Sequence, residues 1–165
     1  MLSKIKNAYK DQNLICIEQE NDIDHWLIGR ILYFDSAGLI LYNVDYRGIG
    51  TGYIYICFDN IIHIHFQSGY LEKITRLWEI KKQKDIDLVL EDIDNLKIAF
   101  LYWISQKSKV LEIMFDDEHI TGKIQEIQKG FLHLEILEKF SGETNGWILI
   151  ILVLILLILP SDNNR

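Results

Sequence analysis

The chain has 165 residues, 49% of them hydrophobic and 12% aromatic, which is ample material for a packed core and excludes global disorder. Its formal net charge of −7 argues against a broad surface that tracks phosphates, because nonspecific nucleic-acid affinity comes mainly from clustered Lys and Arg. With one proline and no low-complexity linker, the length suits one domain or two small ones.

The chain opens on an amphipathic pattern, Leu2, Ile5 and Ala8 or Tyr9, charged and without a secretory apolar core. Short runs rich in Ile, Tyr and Val follow and read as strands. The first covers residues 13–19 and an acidic turn follows it. The second, residues 26–34, carries Gly29 inside it, a place where a strand can bend sharply. A turn at residues 36–38 leads to strand three, and the glycine-rich "GIGTG" is read as a hairpin turn into strand four. The pair Asp59 and Asn60 supplies a corner before strand five at residues 61–66. Tyr70, Ile74, Leu77 and Trp78 then recur at helical spacing, predicting an amphipathic helix over "GYLEKITRLWEIKK".

The same order returns later in the chain. Leu14, Ile15 and Ile17 fall on Val110, Leu111 and Ile113, and Gly29 and Ile31 fall on Gly122 and Ile124. Leu39, Leu41 and Val44 fall on Leu132, Leu134 and Leu137. Ile98, Leu101 and Ile104 repeat the opening helical pattern, so a duplication is expected. The expected fold is mainly β with short helices (α+β): two tandem helix-plus-five-strand SH3/Sm-like small barrels joined by a helical linker. Their expected limits are 1–69, 70–93 for the linker, and 94–165.

The run "GRILYFDSAGLILYN" resembles the first signature of the Sm-like (LSm-type) family, with Gly29, Phe34, Asp35, Leu39, Leu41 and Asn43 in the signature places. The resemblance covers the first copy well and the second in outline, where Gln128 stands in place of the Asp. It implies a small bent barrel, assembly into rings through strands four and five, and single-stranded RNA held near the turn after strand two. Asp35, Ser36, Asn43, Asp59 and Asn60 are the residues it offers for such a turn. The family's Asn in that turn is replaced by Ser36, Ala37 and Gly38, and its Arg-Gly or Lys-His pair before strand five is replaced by Asp59-Asn60. An acid there sets RNA behind other partners.

Residues 147–159 form thirteen uninterrupted apolar residues closed by Pro160. A helix of that length spans roughly 20 Å against a hydrocarbon core of ~30 Å. By the repeat, this run should be strands four and five of the second barrel, yet polar alternation is lost in its second half. Three readings stay open: covered or oligomer-facing strands, a short membrane-inserting segment, or a terminus altered by a shifted reading frame. Trp147, Ile151, Leu154 and Leu157 are its candidate membrane or oligomer contacts.

His63 and His65, two apart on one strand, share a face and are the candidate metal pair. Cys16 and Cys57 lie inside apolar runs and read as reduced core thiols of a cytoplasmic protein. No phosphate loop and no nucleophile in a recognisable setting is present, so neither an enzyme nor a cofactor is expected. The expected function is a non-enzymatic interaction or scaffold module that self-associates through strand edges and binds a protein partner. The alternatives are an RNA-binding regulator and a small membrane-associated accessory or immunity-type protein held by residues 147–159.

Overall fold

The computed structural model describes residues 2–19, 22–81, 88–91, 94–115, 118–128 and 131–137. The chain divides into two compact units, Met1–Lys97 and Ile98–Arg165.

In the first unit, helix α1 (Leu2–Asp11) buries Ile5 and Ala8, the positions its apolar spacing singles out. It ends where Gln12 turns to φ 58°, with the Asn13 N–H donating to the Ala8 carbonyl at 3.1 Å. Five strands follow: β1 (Leu14–Gln19), β2 (Asp22–Phe34), β3 (Gly38–Val44), β4 (Gly50–Cys57) and β5 (Ile61–His65). They form one antiparallel sheet in the order β4-β3-β2-β1-β5. The acidic segment expected as a turn is partly strand, since Asp22 already pairs with Gln19. Helix α2 (Gly69–Ile80) begins at Ser68, whose Oγ accepts from the Leu71 N–H at 3.1 Å.

The sheet is covered on both faces, which explains why β1 opens on an unbroken apolar run. Ile15 and Ile17 join Ile5, Ala8, Ile31, Leu39, Leu41, Ile56 and Ile64 in one core beneath α1. The alternate residues Leu14 and Cys16 join Ile28, Val44, Leu71 and Ile74 in a second core beneath α2, with Trp78 packed against it. A strand buried on both faces needs no polar alternation.

The second unit holds most of helix α3 (Leu96–Gln106), then β6 (Val110–Phe115), β7 (Glu118–Gln128) and β8 (Phe131–Ile136), a three-stranded antiparallel sheet in the order β6-β7-β8. It repeats local geometry of the first unit at the positions the alignment equates. Ser108 turns to φ 49° where Gln12 does, and the Lys109 N–H donates to the Ile104 carbonyl at 3.1 Å. Gly29 pairs with Ile15, and Gly122 pairs with Leu111. The register slips just after Ile31 in the β2–β3 ladder and just after Ile124 in the β7–β8 ladder. A register shift thus falls at one equivalent position in both sheets, a specific local feature.

The expected pair of closed, five-stranded barrels is not met. Among the described residues the protein is mostly β, with two open antiparallel sheets of five and three strands and three helices. In the first unit β4 pairs with β3 and β5 with β1, and the sheet stays open because no ladder joins these two end strands among the described residues. The 3-10 turn Phe58–Asn60 makes the corner between β4 and β5, and the Phe58 N–H is held by the Ala37 carbonyl at 2.9 Å. With only five residues in β5, no β4–β5 ladder forms among the described residues, so both strands remain edges. The run 147–159, expected to supply the last strands of the second sheet, lies outside the described residues, as do Trp147, Ile151, Leu154 and Leu157.

Candidate interaction surfaces

The β2–β3 turn is built by Asp35. Its Oδ1 accepts from the N–H groups of Ala37 and Gly38 at 2.7 and 2.9 Å, and its Oδ2 accepts from the Leu96 N–H at 3.2 Å. A carboxylate that ties down three backbone donors is a structural clamp, and little of its acceptor capacity is left for a ligand. Replacing Asp35 by Ala should therefore lower the stability of the first unit by about 1–3 kcal/mol, read from its urea transition. The bond from Phe58 to Ala37 brings this turn beside Asp59 and Asn60, both exposed. Four of the five turn candidates, Asp35, Ser36, Asp59 and Asn60, thus gather at one end of the sheet. Asn43 does not join them: it sits at the far end of β3, paired with Gly29 and Gly52, and its Nδ2 donates to Thr51 Oγ1 at 2.7 Å.

Beside the turn, Lys97 Nζ lies 5.7 Å over the Tyr55 ring. Burial lowers the Lys97 pKa, and burial followed by the nearby Cys57 and Asp35 raises that of Tyr55. The cation is thus already partnered within the fold and is not displayed as a phosphate contact.

His63 and His65 share a face of β5 as expected, with ring centroids 4.5 Å apart. His65 Nε2 lies 2.9 Å from Glu18 Oε1, and Trp26 lies against the His65 ring at 5.7 Å. Among the described residues no group of three or more His, Cys, Asp or Glu is arranged to hold a metal ion. Cys16 and Cys57 are both free; burial first, and the Glu18 charge second, push the Cys16 thiol up to about 11, so it packs as a neutral core group.

The edges of the first unit's sheet are β4 and β5. β4 reads "GTGYIYIC" and β5 reads "IIHIH", without a Lys, Arg, Asp, Glu or Pro in either. Natural edge strands are commonly blunted by charge, proline or a covering segment.

Sequence reasoning also missed a groove of about 430 Å³ on the α2-covered side of the first unit, lined by Trp26, Ile28, Asn43, Val44, Tyr46 and Tyr70 among others. These residues come from β2, β3, the β3–β4 turn and the first turn of α2, so no sequence window contains them. Among the described residues no helix is long and apolar enough to cross a membrane. Comparison of the chain with known protein families, with characterised proteins and with solved structures finds no match.

Proposed function

We propose that the protein is a non-enzymatic interaction module that self-associates by strand addition along β4 and β5. The observation that carries this reading is the pair of uncharged edge strands, five and eight residues long, at opposite ends of one sheet. The edge of a sheet is where a strand of a second copy can add by backbone pairing. Because the two edges differ, a β4-to-β5 contact is heterologous, and repetition closes a ring or extends a filament. The resemblance of "GRILYFDSAGLILYN" to Sm-like proteins, which assemble through the corresponding strands, supports the same reading. The two free thiols fit a reducing, cytoplasmic setting.

The test is sedimentation of the full chain and of Ile62→Lys, a position on β5 that is 56% exposed and so tolerates the charge in the monomer. The wild type is expected to sediment as an assembly, and the variant as a monomer with an unchanged circular dichroism spectrum. A wild type that stays monomeric at micromolar concentration, or a variant that remains assembled, overturns the edge-pairing reading.

A further inference from the structure

We infer that ring pairs choose the partner edge: Tyr53 and Tyr55 on β4 of one copy stand against His63 and His65 on β5 of the next. The inference rests on the edge-pairing reading and names the side chains that make a second copy's β5 the fitting partner for β4.

The two rows lie on one side of the sheet. In β4, Ile54 and Ile56 turn to the core beneath α1, so Tyr53 and Tyr55 take the opposite face. Tyr53 packs on Tyr42 with centroids 5.3 Å apart, and Tyr42 packs on Trp78 of α2 at 5.5 Å, which fixes that face as the α2 side. In β5, Ile64 turns to the core beneath α1, so His63 and His65 also take the α2 side. His65 lies against Trp26, which in turn meets Tyr70 of α2. Each row has a spacing of two residues, so both ring pairs form in one register.

The rows are already ordered within each copy. Lys97 Nζ lies 5.7 Å over the Tyr55 ring, and Glu18 Oε1 holds His65 Nε2 at 2.9 Å. His63 is exposed and stands 4.5 Å from the His65 ring. Side chains held in place lose little freedom on association, and cross-strand ring pairs add to backbone pairing. Three joints are open to these edges. In a pair of copies, a β4-to-β4 or a β5-to-β5 joint closes on itself and leaves the other edge of each copy unused. A β4-to-β5 joint uses both edges of every inner copy and sets tyrosine beside histidine at each contact.

The experiment is sedimentation velocity of the full chain over a concentration series. It compares the wild type with Tyr53→Ala, His63→Ala and His65→Ala, and with the two doubles that join Tyr53→Ala to either histidine change. Each single change is expected to raise the dissociation constant between copies roughly threefold. One double should raise it no further than its own single changes, because removing either ring already removes the pair. His63 is exposed, so His63→Ala should keep the wild-type circular dichroism spectrum even where Tyr53→Ala loosens β4. Losses that multiply in both doubles would overturn the inference, as would a loss confined to Tyr53→Ala, the mark of a β4-to-β4 joint. If Ile62→Lys disperses the assembly while no ring substitution weakens it, the ring pairs are refuted and edge pairing stands. A monomeric wild type refutes both.

Discussion

Replacing Leu41 by Ala should cost the first unit about 3 kcal/mol, seen as a fall in its urea midpoint at an unchanged slope. Leu41 is fully buried in the core beneath α1, together with Ile31, Leu39 and Ile56. Its backbone pairs with Ile31 on one side and with Ile54 on the other, in the middle of the sheet. Truncation removes apolar contacts and leaves a cavity that neighbours fixed by two ladders cannot easily collapse to fill. Ile62→Ala, on an exposed edge of the same sheet, is the matched comparison and should change stability by less than about 0.5 kcal/mol. Equal losses at the two positions would contradict the placement of the core.

The second large effect is expected at Gly29. A Cβ there would stand 2.5 Å from the Tyr42 carbonyl oxygen and 3.3 Å from the Asn43 Cα. These are backbone atoms of the neighbouring strand, so no rotamer change relieves the clash and β3 itself must move. Gly29→Ala should therefore destabilise the first unit by about 2 kcal/mol, of the order seen for overpacking. Gly122→Ala should do the same in the second unit, where the added Cβ meets the Glu135 carbonyl oxygen at 2.7 Å. Gly69, at the start of α2, has nothing within 4 Å of its added Cβ. Gly69→Ala should be neutral or slightly stabilising, because alanine favours the helix and restricts the unfolded chain. Thermal denaturation of the three variants separates a steric role for the two strand glycines from a general cost of losing glycine.

These paired glycines also show what the sequence determined by itself. The order helix, strand, strand, strand, twice over, was legible because each step is local: 3.6-residue spacing in the helices, β-branched and aromatic runs in the strands, and turn residues between them. The alignment of Gly29 with Gly122 and of Ile31 with Ile124 named positions that proved equivalent in pairing and in bulge. The face shared by His63 and His65 was legible for the same reason, since alternation along a strand is a backbone property.

Closure, and which candidate residues come together, were decided by tertiary structure. Whether β5, paired with β1, also pairs with β4 to close the sheet depends on long-range ladders, which no local pattern encodes. Asp35 looked like a ligand residue from its signature place, but three backbone N–H groups gather on its carboxylate in the fold. Asn43, eight residues away in sequence, is held at the opposite end of the strand. Trp26, Tyr46 and Tyr70 became one groove only when β2, the β3–β4 turn and α2 packed around it. Local propensity is written residue by residue, whereas a binding surface depends on which distant residues the packing brings together.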